Sequence, residues 1–419
     1  MLWQGALWLN PGYFSHDELQ WGSFADRPQL SALPWPDWLD SSVFQYRPLT
    51  FSLWLLLSHF LFESPRLFHF VFVLAGTINA VLLAIWVRRE WGARAGYWAF
   101  AAFVASPFVI DVHGWVATLA DVLWLGCLLV LLLIVQRPRG RSAALAAACL
   151  LTALGLLAKE AALAIPAVLA VVWVWRRGDR TTGMALLGSA LCAGGYLLLR
   201  LGVISAGSGN GDYGWSLLEV PARLLEYALF PWMLREIEPV DLISRMTPMK
   251  TVIAAMGCAA FVGVLGWRSW RAALLFAAAA VAALGPTLVL KVSFGQYGYG
   301  LAAVVAAAFA WSMHRPGRHR LVVAASLLAM SVHAQGVAWK FHALGVRQEQ
   351  FHRDLVAVLR DSADPVRIVL PDQDTWFFQR ITHDVPSYRG EVIRGRVSVV
   401  DARNQATHLV SADGRLRPN

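Results

Sequence analysis

Charge is scarce in this chain: Asp, Glu, Lys and Arg make up 15% of its 419 residues, against 57% hydrophobic residues and a mean hydropathy of +0.51. So little charge cannot cover a water-soluble globule, which excludes the solvated classes. Cysteine is equally sparse. Cys127, Cys149, Cys192 and Cys258 all lie inside apolar runs, where a thiol packs as a small hydrophobe, and their spacing holds neither a CxxC site nor a disulfide framework. No internal repeat or low-complexity segment is visible, so tandem-repeat transporter architectures gain no support. The glycine-rich run from Gly207 to Gly214 lacks the Lys-Ser/Thr of a phosphate loop and reads as a flexible connection. A net charge of +9 would suit nucleic acid, but most of the arginines form short clusters between hydrophobic stretches. Such clusters are topology signals, and no nucleic-acid partner is expected.

What remains is an all-α polytopic membrane protein. Residues 67 to 87, 95 to 110, 115 to 135, 142 to 158, 161 to 175, 183 to 203, 250 to 266, 272 to 290, 298 to 313 and 320 to 338 form ten apolar stretches. Several are shorter than the roughly 20 residues that cross a bilayer upright. Arg88, Arg89 and Arg94 follow the first, Arg137, Arg139 and Arg141 the third, Arg176, Arg177 and Arg180 the fifth. Arg268 and Arg271 follow the seventh, and Arg315, Arg318 and Arg320 the ninth. Alternate connections are therefore basic, which places them in the cytoplasm of an inner (plasma) membrane protein and the other connections outside.

Residues 48 to 62 break this alternation if they span, so they are expected to lie along the external interface as a short helix. That leaves residues 1 to 66 outside as a first external loop. Met1 to Leu9 is too short to cross, so a preceding transmembrane helix is expected to be missing, through a misplaced start codon or a truncation. Residues 67 to 339 make the bundle of about ten helices. From about Lys340 the composition turns polar. Phe351, Leu355, Val358 and Leu359 follow amphipathic helical spacing, and Val366 to Leu370 and Val392 to Val400 read as strands. Residues 340 to 419 are thus expected to form a small extracytoplasmic α/β appendage.

The ionisable residues of the external connections converge on one face: Asp17 and Glu18, Asp111, Lys159 and Glu160, and Lys291. Charges at membrane depth cost several kcal/mol unless paired or hydrated, so a set gathered on one side points to a site. Each has a plainer reading as well. Asp17 and Glu18 suit a solvated loop, Asp111 a helix cap, Arg47 a structural contact, and Lys159 a snorkelling lysine paired with Glu160. His69 and His113 suit packing or hydrogen bonding. The twenty tryptophans suit interfacial anchoring.

The order of motifs carries more. Phe14-Ser-His-Asp-Glu-Leu-Gln-Trp21 is followed by Tyr46-Arg-Pro-Leu-Thr50, by Phe68-His69 opening a helix, by the run from Ser106 to Asp121, and by Leu157-Ala-Lys-Glu-Ala161. In order and kind this series resembles the GT-C superfamily of polyprenol-phosphate-sugar glycosyltransferases. It looks closest to the protein O-mannosyltransferases and the transmembrane mannosyltransferases that carry tetratricopeptide repeats, although no such repeats follow here. The resemblance covers residues 10 to 170 and the rest in layout. It implies a GT-C-like helix bundle and a catalytic carboxylate at Asp17, with Glu18 beside it and Asp111 as the second acidic position. It implies donor-phosphate contacts from Arg47 and Lys159. The superfamily's later Arg-Tyr motif reads here Lys291-Val-Ser-Phe-Gly-Gln-Tyr-Gly-Tyr299, so Lys291 is the substitute cation. His113, Glu160, Tyr297 and Tyr299 are the expected substrate contacts.

The chemistry agrees. A base that takes the acceptor proton and cations that hold the leaving phosphate suffice for one inverting displacement at the anomeric carbon. An apolar groove would hold the prenyl chain, with residues 48 to 62 as a wall. The expected activity is transfer of a hexose or mannose-like sugar from a polyprenyl-phosphate donor to a protein, lipid or glycan acceptor outside. No cofactor is required, while Asp17, Glu18 and Asp111 offer a divalent cation an alternative place. A transporter or flippase of a lipid-linked sugar would use similar cations without a base, and an inactive glycan-assembly protein is the third reading.

Overall fold

The computed structural model describes residues 2–24, 29–33, 35, 39–42, 45–137, 140–207, 214, 216–233, 248–314, 316–371, 375–383 and 385–419. The central part of the glycine-rich connection, together with Arg139 and Arg315, lies outside the described residues. The helices are α1 (Gly5–Trp8), α2 (His16–Phe24), α3 (Pro48–Leu61), α4 (Pro65–Trp91), α5 (Ala93–Val104), α6 (Pro107–Gly114), α7 (Leu119–Val135) and α8 (Arg141–Ala158). They continue as α9 (Ala164–Trp175), α10 (Arg180–Gly207), α11 (Val220–Leu229), α12 (Pro248–Arg268), α13 (Trp270–Leu284), α14 (Tyr299–Met313), α15 (His319–Asp361) and α16 (Thr375–His383).

Every one of the ten apolar stretches is helical. Among the described residues seven helices are long and apolar enough to cross a membrane, or eight if α5 and α6, bent by 58° at their junction, form one broken span. The ten expected crossings are reached only if the shorter apolar helices at 160–175 and 299–313 also span. Residues 48–61 form a 14-residue helix that buries Thr50, Phe51, Trp54 and Leu55 and leaves Phe60 exposed. Its Thr50 hydroxyl donates to the Ala158 carbonyl at 2.8 Å and its Trp54 indole to the Val116 carbonyl at 3.1 Å, so α3 is fastened to the ends of neighbouring helices.

The helices break for local reasons. Ser106 precedes Pro107, whose ring disfavours helical backbone before it, and Ser106 is extended at φ −78°, ψ 133°. Lys159 is extended at φ −162°, ψ 142° between α8 and the short helix Glu160–Leu163. Gly285 ends α13 at φ +46°, a conformation that glycine adopts without a Cβ clash, and Pro286 follows.

The two ends of the bundle differ. At one, Arg89 and Arg176 donate to the Leu133 and Val135 carbonyls, Gln136 donates to the Trp86 carbonyl and Glu90, and Trp91, Trp175, Phe276 and Trp311 form a chain of T-shaped and tilted ring contacts. Arg268 lies over Trp311 there. The breaks at Lys159 and around Val116 lie at the other. An apolar cavity of about 80 Å³ runs between α4, α7, α9, α13 and α14 from Leu125 and Gly300 toward Trp86, Trp91 and Trp175; α3 does not wall it.

Helix α15 runs unbroken for 43 residues, straight through the polar turn in composition near Lys340, so the compositional boundary at 339/340 falls inside one helix. Beyond it, β1 (Val366–Val369), β4 (Val397–Val399), β5 (His408–Val410) and β6 (Leu416–Pro418) form a sheet in the order β4-β1-β5-β6, parallel except for the β5–β6 pair. A hairpin of β2 (Ser387–Tyr388) and β3 (Glu391–Val392) turns through Arg389 and Gly390, both at positive φ, as a two-residue turn requires. The appendage is tied back to α15 by Arg389 and Tyr388, which reach Glu349 at 3.0 and 3.2 Å.

Candidate active site

The first segment of the chain is shaped by one carboxylate. Glu18 is fully buried; its Oε2 accepts from the Phe14 and Ser15 amides at 3.0 Å each, and its Oε1 from the Val116 amide at 2.9 Å. The segment before it is held by α15: Asn10 donates to the Phe341 carbonyl, and the Tyr13 amide to Gln348 at 2.6 Å. Both Glu18 oxygens are thereby engaged by backbone, and the residue acts as a clasp between α2 and the start of the Val116 turn. Asp17, its neighbour, is about one-third exposed, with His16 Nε2 2.9 Å from its Oδ1.

The basic residues gather where α8 breaks. Lys159, 5% exposed, sets its ammonium 2.7 and 2.6 Å from the two oxygens of Asp121, at the start of α7, and 5.1 Å from the centre of the Tyr297 ring. Its neighbour Glu160 receives Arg47 through Nε at 3.0 Å and Nη2 at 2.9 Å. Arg47 precedes Pro48, the first residue of α3, and next to it the ring of Tyr46 lies 5.2 Å from the Arg200 guanidinium. Arg200, 4% exposed near the end of α10, also donates to the Ser41 carbonyl. Arg47, Lys159 and Arg200 are thus three cations in one neighbourhood, held by Glu160, Asp121 and Tyr46.

The remaining expected residues divide. Asp111, 1% exposed on α6, has no hydrogen-bond partner among the described residues and stands close enough to Asp121 to feel its charge. His113 and Tyr299 are both fully buried and bond to each other at 3.0 Å; His113 also meets Gln4 at 2.9 Å, and Tyr299 receives a long contact from Asn79 at 3.5 Å. They form an internal polar network within the bundle rather than a surface open to a ligand. Lys291 is exposed, its amide donating to the Gly214 carbonyl at 2.9 Å, and it forms no ion pair among the described residues. The site therefore brings together Arg47, Lys159, Glu160 and Tyr297, and fixes Glu18 as a clasp beside Asp17, while Lys291 takes no part in these contacts among the described residues.

Two residues were passed over in the sequence. Asp121 and Arg200 each interrupt an apolar run, the signal that singled out Lys159, and each proves to be held at the same end of the bundle. One further carboxylate oxygen, Glu160 Oε1, is buried without a partner. No group of three or more metal-ligating side chains occurs among the described residues.

Chemically, the cluster suits an anion. A phosphate entering beside Arg47, Lys159 and Arg200 would meet three cations already held at this end of the bundle and would share two of them with Glu160 and Asp121.

No family model and no curated protein matches the chain. Solved structures do. The crystal structure of ArnT from Cupriavidus metallidurans bound to undecaprenyl phosphate superposes with a TM-score of 0.50 at 14% identity, over 92% of this chain and 83% of that one. The same protein in the apo state gives 0.49 at 12% identity, over 96% and 84%. The first likeness establishes the fold. The chain is an all-α membrane bundle that shares the fold of that structure, with a small C-terminal sheet.

Proposed function

We propose that the chain is an integral membrane glycosyltransferase that moves a sugar from a polyprenyl-phosphate donor to an extracytoplasmic acceptor, with inversion. The observation that carries this is the convergence of Arg47, Lys159 and Arg200 on the end of the bundle where the first segment presents Asp17. The shared fold supports it, since a structure of that fold is described as bound to undecaprenyl phosphate. The sugar is a hexose or mannose-like unit, on the resemblance of residues 10 to 170. Protein, lipid and glycan acceptors all present the hydroxyl the reaction needs.

The step follows from the residues. The Asp17 carboxylate takes the proton of the acceptor hydroxyl, whose oxygen forms a bond to the anomeric carbon as the carbon–phosphate-oxygen bond breaks. The leaving polyprenyl phosphate keeps the electron pair, and Arg47, Lys159 and Arg200 hold its developing charge. Glu18 supports the base by fixing α2. A monophosphate leaving group with three cations needs no metal ion, so turnover should survive chelation by EDTA.

Release of polyprenyl phosphate from a labelled donor in detergent tests the reading. Asp17→Asn keeps the side chain's shape and removes proton acceptance, so turnover should fall roughly 10²- to 10⁴-fold with donor binding little changed. Arg47→Ala should weaken binding as well as turnover. Equal release by wild type and Asp17→Asn would remove Asp17 from the mechanism, and donor movement across a bilayer without release would favour a transporter.

A further inference from the structure

We propose that Arg380, from the C-terminal α/β unit, governs Asp17 through His16: by donating to the imidazole it prevents His16 from donating to Asp17, and so keeps the carboxylate free to accept a proton. This rests on the reading of Asp17 as the base. Helix α16 packs against α2, and His16 Nε2 lies 2.9 Å from Asp17 Oδ1 and 2.6 Å from Arg380 Nη2. A guanidinium only donates and a carboxylate only accepts, while a neutral imidazole nitrogen does one or the other. The same Nε2 can therefore serve Arg380 or Asp17, never both.

The contact with Arg380 selects the tautomer with the proton on Nδ1. Nε2 then offers its lone pair to Arg380, and the imidazole 2.9 Å from Asp17 ceases to be a donor to it. In the other tautomer, Nε2–H binds the carboxylate and reduces its readiness to take a proton. Helix α16 is placed firmly enough to impose this choice. Its Phe377 and Phe378 lie under the Arg347 guanidinium of α15, at 5.4 and 5.1 Å, and His352 of α15 reaches the Ile381 carbonyl at 3.1 Å. His16 and Arg380 are positioning residues, and neither exchanges a proton with substrate in the step.

The test uses the full chain in detergent. Nitrogen-15 spectra of histidine-labelled protein, with the His16 signals identified by their loss in His16→Gln, should show His16 protonated on Nδ1 in the wild type and on Nε2 in Arg380→Gln. Protonation on Nε2 in the wild type overturns the proposal, and that measurement needs no Arg380 variant to fold. With a synthetic polyprenyl-phosphate hexose as probe, Arg380→Gln should lower kcat roughly tenfold at unchanged KM, the scale of one hydrogen bond to a charged group. Adding His16→Ala should restore kcat to within about threefold of wild type, because the competing donor is gone. A lost packing contact would not be rescued by losing a second one. A double variant as impaired as Arg380→Gln, or Arg380→Gln at wild-type kcat, overturns the inference. Wild-type release by Asp17→Asn would instead sink the base reading, leaving the tautomer measurement to judge the contact itself.

Discussion

Glu18 and Lys159 are both removed from water, yet in opposite company. Three amides surround Glu18 and no cation bonds it among the described residues, so burial outweighs them and lifts its carboxyl from an ordinary 4.5 to about 8. Its folded value lies above the unfolded one, so the native state holds the extra proton between about 4.5 and 8. Stability from this group is complete below that window and is lost as pH rises through it. The melting temperature in detergent should fall from pH 4.5 to 8, and Glu18→Gln should flatten the slope; equally steep curves would refute it. Lys159 has an anion instead. With side chains 6% and 3% exposed, Lys159 and Asp121 form a buried pair, and removing one partner strands the other at a cost of about 3–5 kcal/mol. Asp121→Ala should therefore abolish folded protein on size-exclusion, whereas Asp121→Leu with Lys159→Met should recover folding without turnover.

At the scale of elements, the site is made by interrupted helices. Each break leaves backbone groups that lipid cannot satisfy, and side chains from the first 66 residues supply partners: Glu18 for the Val116 amide, Trp54 for the Val116 carbonyl and Thr50 for the Ala158 carbonyl. Close approach matters equally. A Cβ at Gly76 would run into the His113 imidazole, so Gly76→Ala should lower the melting temperature by overpacking, about 1–3 kcal/mol, and His113→Asn should partly restore it. The apolar runs made the ten helical segments legible, and arginine alternation separated the two ends, because both are local properties of the chain. The pairings were not local. Glu18 read as a second catalytic acid because it adjoins Asp17, and only the Val116 amide, 98 residues away, makes it a clasp. Asp121 lies 38 residues from Lys159, and Arg200 159 from Ser41; no spacing rule links such residues. His113 and Tyr299 looked available as polar residues flanking apolar runs, and packing turned them inward. The boundary near Lys340 marked where the surroundings of α15 change, not where the helix ends.

For the whole molecule, the arginine end and the C-terminal sheet lie at opposite ends of the bundle, since α16 rests on α2. With the arginines cytoplasmic, a reporter fused after Asn419 should be active only outside, and a cytoplasmic signal would remove the proposed site from the acceptor's side. Helix α15 joins the two regions. Its 43 residues measure roughly 65 Å, about twice the apolar thickness of a bilayer, so its distal half is a rigid shaft outside the lipid. A shaft transmits angle. One alanine inserted between Gln348 and Glu349 would turn everything beyond it by about 100° and lift it about 1.5 Å, without altering any apolar span. The protein should still insert and accumulate, but Arg380 would face away from His16 and turnover should fall at least as far as the roughly tenfold expected of Arg380→Gln. The proposed base is in this sense set by the rotation of a helix from which it is separated by the whole C-terminal unit.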